Sequence, residues 1–264
     1  MPEGEGLLVP RLTGKGASVQ GRYWKPRLIS ELYKDCTYLY NQAQLYMGVQ
    51  SMKYSSSVLI ADVIHSRREP RLRAMLGAKL TRATKAHLRE KWIRVPYAVT
   101  AGDEFQVVLS RIDALPELIL DLRRRLRPFS LRIGVGIGDI RGPIRTPVNR
   151  LGGGAFIFAR QAIEDVKQNS LYRYRTLTAF RSARKSFDRI ANLVYGLNDT
   201  LLLDVTDAQW RTMDVYFTKR RVDRTARSLH LDISTASRNL KRGSYWQLAE
   251  VAGTMKAILR DEWE

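Results

Sequence analysis

The stretch Val58-Leu59-Ile60-Ala61-Asp62-Val63-Ile64 decides the fold, because it is a short apolar run with a single carboxylate inside it. Such a run, rich in Val and Ile, predicts a strand that is buried on both faces. The two-residue period of a strand places Asp62 on the same face as Val58, Ile60 and Ile64. A lone charge is costly there unless it is ion-paired or binds a cation, so Asp62 is the first candidate functional residue.

Helix and strand patterns alternate outward from this run. They predict helices at residues 71–92, 115–126 and 155–166. They predict strands at 97–100 and 104–109, which a hairpin joins, and at 131–140. Ala101-Gly102-Asp103 marks the hairpin, since Gly and Asp favour tight turns. With the first strand, the order is βαββαβ, which predicts an α+β, ferredoxin-like palm domain.

Three parts are predicted along the chain. Residues 1–51 show no clear period and are interpreted as a partly flexible N-terminal extension. An alternative is that translation begins naturally at Met52. Residues 52–167 form the palm-like domain, and residues 168–264 form a helical domain, with helices at 171–196 and 201–217 and a helix-turn-helix at about 221–242.

Charge and composition restrict the class of protein. The 264 residues carry a formal net charge of +19, which favours a polyanionic partner such as nucleic acid or nucleotide. The lone cysteine, Cys36, excludes an intramolecular disulfide and a cysteine-rich zinc site. No stretch approaches the roughly 18 apolar residues of a membrane span, so we expect no membrane partner and a soluble, cytoplasmic protein.

Three carboxylates are expected to converge at one end of the sheet. In a ferredoxin-like fold the first strand pairs with the third, which brings Asp103 and Glu104 near Asp62. Their mutual repulsion would be relieved by a bound Mg²⁺ or Mn²⁺. The alternative is that Asp103 is a turn residue and Asp62 caps the end of its strand.

Glycines and basic residues provide candidate phosphate contacts. Gly134, Gly136 and Gly138 lie within a strand, which excludes a dinucleotide-binding fingerprint. Residues 152–154 are better placed, because they precede a helix whose free N–H groups can receive a phosphate; otherwise they form a flexible loop. Arg67 begins a basic segment that either engages a triphosphate or nucleic-acid backbone or is a solvated helix face. The nucleotide-binding candidates are Gly102, Gly153, Gly154 and Arg67.

Four motifs in order resemble the SatD family. They are DVIHSR at 62–67, GDEFQ at 102–106, RIGVGIG at 132–138, and GAF at 154–156 with Ala159-Arg160. This family is distantly similar to the palm domains of class III nucleotide cyclases and GGDEF-type cyclases. The resemblance implies that Asp62 and Asp103 bind metal, that Glu104 occupies the GGDEF-type position, and that Arg160 steadies the transition-state phosphate.

Two departures from the cyclase pattern weaken an assignment of turnover. Phe156 stands where class III cyclases usually have an Asn, one turn before the arginine. Ala101 replaces the first glycine of the GGDEF hairpin. Asp62, Asp103 and Arg160 still meet the minimum of a phosphoryl-transfer site, which needs a metal and a cation for the developing charge.

The sequence ARSLHLDISTASRNLKR at 226–242 resembles the helix-turn-helix of many bacterial regulators. Ala226 is small where the helices cross, and Asp232 is placed to cap the second helix. His230 departs from the pattern, because Gly or Asn usually makes the turn. The exposed side is predicted to carry the DNA-binding residues Thr235, Ser237, Arg238, Lys241 and Arg242. The alternative is a helical hairpin that serves as a dimer or lid element.

The preferred interpretation is a DNA-binding regulatory protein, expected to be a homodimer, whose palm-like domain binds a nucleotide through Mg²⁺ or Mn²⁺. The competing interpretation is an active nucleotidyl cyclase or nucleotidyltransferase that uses metal bound by Asp62 and Asp103, with Arg160 and Glu104 as catalytic residues. Its helical domain would then serve dimerisation or regulation. A third interpretation is a DNA-binding protein whose palm is a degenerate scaffold.

Overall fold

The computed structural model describes residues 55–64, 70–101, 103–144 and 151–263. Two of the predicted nucleotide-binding residues, Arg67 and Gly102, lie outside the described residues, as does the N-terminal extension 1–51. Within the described ranges, no helix combines the length and apolar character that crossing a membrane requires.

Five strands of the described ranges form one mixed sheet. In chain order they are β1 (Ser56–Val63), β2 (Ala98–Ala101), β3 (Glu104–Val108), β4 (Leu131–Gly138) and β5 (Thr178–Ser182). Across the sheet the order is β2-β3-β1-β4-β5, with β5 parallel to β4 and the other pairs antiparallel. The first strand therefore pairs with the third, and the α+β, ferredoxin-like prediction is confirmed.

Eight α-helices are described. They are α1 (Pro70–Arg89), α2 (Leu115–Arg125), α3 (Gly154–Gln168), α4 (Lys185–Leu203), α5 (Asp207–Lys219), α6 (Val222–Leu229), α7 (Ile233–Arg242) and α8 (Tyr245–Trp263). The capping box of Thr206 and Gln209 fixes the start of α5, since each side chain bonds to the other residue's backbone N–H.

The apolar run of β1 is buried on both faces, as its composition predicts. Leu59, Ala61 and Val63 pack into the main core, which also contains Leu118 of α2 and Met255 of α8. Val58 and Ile60 face the other side, where they pack against Ala155, Ala159 and Ile163 of α3. One face of the sheet is thus covered by α3, and that face carries Asp62.

The alternating glycines of β4 allow α3 to approach the sheet closely. A Cβ atom on Gly136 would lie 2.0 Å from the carbonyl oxygen of Ala155, and one on Gly134 would lie 2.4 Å from the nitrogen of Ile163. The stripe is therefore a packing surface, in agreement with the exclusion of a dinucleotide fingerprint.

The prediction of a helix over residues 171–196 is wrong in its first half. Residues 178–182 are β5, which hydrogen-bonds to β4, and α4 begins only at Lys185. The predicted end of this helix, at residue 196, is also too early, because α4 continues to Leu203 before α5 begins. The sheet therefore continues past residue 167.

A buried ion pair ties β5 to two helices. Arg123 of α2 donates to Asp199 of α4 at 3.2 Å and to Thr178 of β5 at 2.8 Å. Asp199 also accepts a hydrogen bond from the backbone nitrogen of Leu177 at 2.7 Å. Because both charged groups are almost fully buried, this network holds β5 in a fixed place against α2 and α4.

Candidate functional site

Asp62 and Glu104 lie directly opposite each other on β1 and β3. The two-residue period places both on the face of the sheet that α3 covers. Asp62 is 5% exposed and Glu104 is 6% exposed. The convergence of these two carboxylates, which the sequence predicts, is confirmed by the strand register.

Each carboxylate is neutralised by a cation rather than left to repel the other. Arg132, which is opposite Asp62 on β4, donates to its Oδ2 atom at 3.0 Å. Arg160 donates to Oε2 of Glu104 at 2.8 Å, and Lys167 donates to the same atom at 3.2 Å. Two carboxylates and three cations therefore form one group, which we call the sheet charge cluster.

The charge cluster sets the protonation state of Glu104. Burial raises the pKa of this carboxyl, but the hydrogen bonds and charge of Arg160, with further hydrogen bonds from Lys167 and Thr100, outweigh it, and the pKa lies below its ordinary value. Glu104 is therefore an anion that anchors Arg160 and Lys167. This is an electrostatic role, different from that of a proton-transfer group.

The third predicted carboxylate, Asp103, is 8% exposed in the turn between β2 and β3. Its carbonyl oxygen accepts a hydrogen bond from the nitrogen of Val63 at 3.4 Å. Within the described part of the chain, no group of three or more His, Cys, Asp or Glu side chains is arranged to hold a metal ion. The donor set fits a bare divalent cation poorly, because arginine and lysine already contact the oxygens of Asp62 and Glu104.

The glycines before α3 contact a carboxylate of the chain itself. Gly154 donates its N–H to Oδ1 of Asp139 at 2.9 Å, and Ala155 donates to the carbonyl oxygen of Asp139 at 3.0 Å. Gly153 has φ +122°, and a Cβ atom there would lie 2.5 Å from that carbonyl oxygen. In this arrangement Asp139 takes the place at the helix N-terminus that the sequence assigns to a phosphate.

A tight turn joins α6 and α7 at the predicted helix-turn-helix. His230 adopts the left-handed conformation, with φ +52° and ψ +46°. Leu231 donates to the carbonyl oxygen of Ala226 at 2.9 Å, and His230 donates to that of Arg227 at 3.3 Å. These two bonds form a Schellman motif, which ends α6 and redirects the chain.

The helical pair packs through small and apolar residues. Ala226 of α6 and both Ala236 and Leu240 of α7 are buried. Leu240 joins Trp210 and Met213 of α5 in one apolar cluster. Asp232 stands at the N-cap position of α7, but its side chain makes no capping hydrogen bond to the described residues, so the predicted cap is wrong in that detail.

The predicted DNA-contacting residues lie together on α7. Ser237, Arg238, Lys241 and Arg242 are exposed, and Thr235 is half-buried. Arg238 donates to the hydroxyl of Thr235 at 3.2 Å. In the described part of the chain, Arg238, Lys241 and Arg242 make no ion pair with a carboxylate, so their charges are available to a partner.

Sequence reasoning missed two members of the sheet charge cluster, Arg132 and Lys167. Arg132 lies two residues before Gly134, so the strand period already placed it on the α3 face. Lys167 lies seven residues after Arg160, which is two turns along the same face of a helix. Both signals were in the sequence, but only the register across β1 and β4 pairs Arg132 with Asp62.

Comparison with known proteins gives the following similarities. A solved structure, the regulator of polyketide synthase expression from Bifidobacterium adolescentis, is 16% identical over 83% of this chain and 84% of that chain, with a TM-score of 0.27. No curated protein matches the chain. The family model described as SatD family matches residues 57–244, which is well over half of the sequence. The chain therefore belongs to the SatD family.

Proposed function

We propose that this SatD-family protein is a DNA-binding regulatory protein whose contacts with DNA are made by α7. The observation that carries the proposal is the face of α7 opposite its buried Ala236 and Leu240, where Arg238, Lys241 and Arg242 are exposed and have no carboxylate partner in the described part of the chain. Exposed, unpaired cations of this kind neutralise phosphates, and hydroxyl and guanidinium groups on a recognition helix read base edges.

The test is the salt dependence of binding to duplex DNA, measured by fluorescence anisotropy on the full chain. Each lost phosphate contact reduces the slope of log affinity against log salt by about 1. We expect the double variant Arg238→Ala, Lys241→Ala to weaken binding and to reduce the slope by about 2 if both residues contact phosphates.

A matched control removes two charges elsewhere. Arg173 and Arg175 are exposed residues outside α6 and α7, and Arg173→Ala, Arg175→Ala produces the same change in net charge. If this control weakens binding as much as the α7 variant does, then attraction by the net positive charge is sufficient and the α7 interface is rejected.

A second candidate function, favoured by the sheet charge cluster, is binding of a nucleotide through its phosphates. Arg132, Arg160 and Lys167 contact three carboxylates, those of Asp62, Glu104 and Glu164. The side chain of Arg160 is 47% exposed, so its guanidinium group is accessible to a phosphate. In this proposal Mg²⁺ or Mn²⁺ arrives with the phosphates, and Asp62 and Asp103 are the residues that would hold it. Gly153 and Gly154 are not part of this site, because they lie beside Gly138, at the end of β4 opposite the partner of Asp62.

The enzyme alternative, a nucleotidyl cyclase or nucleotidyltransferase, needs Arg160 to leave Glu104 and reach a substrate phosphate. Incubation with each nucleoside triphosphate and Mg²⁺ or Mn²⁺, followed by mass spectrometry, separates the two possibilities. A product that is lost in Asp62→Asn favours the enzyme. Nucleotide binding without product, weakened by Arg160→Ala, favours a ligand-binding palm.

We also propose that the protein is a homodimer, as helix-turn-helix proteins that bind two half-sites are. The surface that supports this is an exposed apolar row on α4, at Ile190, Leu193, Leu197 and Leu201. Spacings of three and four residues place these side chains along one stripe of the helix. Sedimentation of Leu197→Glu tests it: a dimeric wild type and a monomeric variant are expected, and a dimeric variant rejects this surface.

A further inference from the structure

A basic cleft of about 510 Å³ lies between α1, the end of α2 with the turn that follows it, and α5. Its lining combines two carboxylates, Asp207 and Asp214, with six cationic side chains: Lys79, Arg82, Arg124, Arg125, Arg127 and Arg211. None of these residues belongs to the sheet charge cluster or to α7. The cleft is therefore a separate feature of the molecule.

Three of the arginines are held in place by carboxylates. Arg124 and Arg125 both contact Asp121, which also accepts a hydrogen bond from the buried His87 at 2.7 Å. The hydrogen bond from His87 and the charge of Arg124 lower the pKa of the Asp121 carboxyl despite its burial. Arg127 contacts Asp207 and lies 5.1 Å from the ring centre of Trp210. These contacts fix the guanidinium groups before any ligand arrives.

The remaining three cations are not neutralised. Arg82 and Arg211 are exposed and Lys79 is half-buried, and none of their side chains forms an ion pair or hydrogen bond within the described part of the chain. A second observation is the indole of Trp210, which lines the cleft. Trp210 is 5% exposed, and its buried Nε1 atom has no hydrogen-bond partner among the described residues. The cleft thus offers unpaired cations beside a largely buried indole.

We propose that this cleft binds a small molecule that carries a chain of phosphates. Lys79, Arg82 and Arg211 supply the uncompensated charge for the phosphates, and the anchored Arg124 and Arg127 keep the wall of the cleft in a fixed shape. A nucleoside triphosphate and an inorganic polyphosphate share this chemistry. The concave shape favours such a ligand over a DNA backbone, which needs a more extended surface. This proposal does not depend on DNA binding by α7 or on nucleotide binding at the sheet charge cluster.

Isothermal titration calorimetry of the full chain with inorganic tripolyphosphate and with ATP tests the proposal. We expect saturable binding that weakens about tenfold or more in the double variant Arg82→Glu, Arg211→Glu. Both residues are exposed, and they have no ion-pair partner in the described ranges, so the substitutions leave the folded contacts intact; a thermal melt verifies this. The single variant Lys79→Ala, which changes one charge, is expected to weaken binding less.

Two controls separate this site from its alternatives. Arg173→Glu, Arg175→Glu makes the same change in charge outside the cleft and is expected to keep the wild-type affinity. Arg160→Ala removes a cation of the sheet charge cluster, so a binding event that only this variant weakens belongs to that cluster, whereas the event weakened by Arg82→Glu, Arg211→Glu belongs to the cleft.

The two ligands identify the source of the phosphates. If ATP binds more tightly than tripolyphosphate and the cleft variant weakens both, the ligand is a nucleotide; equal affinities indicate an inorganic polyphosphate, and either result supports the cleft. The proposal is overturned by absence of saturable binding, by equal weakening in the Arg173, Arg175 control, or by loss of binding in Arg160→Ala alone. It is also overturned if the cleft variant weakens DNA binding while tripolyphosphate does not bind.

Discussion

Replacing Gly136 with Ala is expected to push α3 off the sheet. The added Cβ atom would lie 2.0 Å from the carbonyl oxygen of Ala155 and 2.2 Å from the nitrogen of Ala159. Both atoms belong to the backbone, so no side-chain rotation relieves the clash. Moving the carbonyl oxygen out to ordinary contact at 3.4 Å needs a shift of about 1.4 Å, which is the difference between those two distances.

A shift of that size disrupts the contacts of Ala155, Ala159 and Ile163, which are completely buried. Overpacking in a tightly packed core costs about 1–3 kcal/mol of stability or more. The cost of displacing a whole helix lies at the upper end of this range. We therefore expect Gly136→Ala to lower the free energy of unfolding by about 3 kcal/mol. Urea denaturation followed by circular dichroism measures this change.

The matched control is Gly253→Ala in α8. A Cβ atom there meets no described atom within 4 Å, and replacing a helical Gly by Ala stabilises a helix by about 1 kcal/mol. Replacing Gly by Ala is thus predicted to destabilise the protein at Gly136 and to stabilise it at Gly253. A Gly136→Ala variant that is as stable as the wild type would refute the close-packing explanation of the glycine stripe.

Three other predictions test the buried charges and the turn. Asp199→Ala leaves Arg123 buried without its carboxylate and is expected to cost about 3–5 kcal/mol of stability in urea denaturation; a cost under about 1 kcal/mol would contradict the buried pair. In the folded protein the pKa of Glu104 lies below its ordinary value of 4.5. The stabilisation that its ion pairs provide is therefore complete above pH 4.5 and is lost as the pH falls through the pKa of the folded protein. The stability difference between wild type and Glu104→Gln should therefore shrink on acidification, and a constant difference would contradict the ion pairs. His230→Gly removes a side chain from a left-handed residue and is expected to raise the thermal midpoint, with a gain of about 0.5–1 kcal/mol; a lower midpoint would show that the ring contributes to packing.

Much of the palm-like fold could be predicted from local patterns. The run at 58–64 and the hairpin around residues 101–103 are signals that a few neighbouring residues carry on their own. The glycine stripe of β4 also marked one face of its strand correctly. These features are reliable because strand period and turn chemistry are properties of the local backbone.

Strand β5 escaped sequence reasoning for a physical reason. Its five residues, TAFRS, lie directly before a helix with no Gly or Pro beside them to mark a turn. They pair in parallel with residues of β4 that lie 45 positions earlier in the chain. Nothing local to residues 178–182 distinguishes such a strand from the start of the following helix. The hydrogen bonds that Arg123 donates to Thr178 and that Leu177 donates to Asp199 are likewise contacts between distant segments.

The candidate site shows the same limit. The sequence brought Asp62 and Glu104 together, because the fold determines which strands are neighbours. It did not supply Arg132 as the partner of Asp62, since that contact depends on the register between β1 and β4. Without the cation, two buried carboxylates suggest a metal site; with it, the same residues form a neutralised group.

The distribution of paired and unpaired cations decides between the functional interpretations. A positive charge that already contacts a carboxylate gains little from a phosphate, because the first ion pair must be broken. Arg132 and Arg160 are in that condition on the sheet, and Arg221 and Arg227 share Asp223 beside α6. Arg238, Lys241 and Arg242 of α7 contact no carboxylate within the described part of the chain. A polyanion therefore gains more on α7 than at the sheet charge cluster, which is why the DNA-binding proposal ranks above turnover on the sheet.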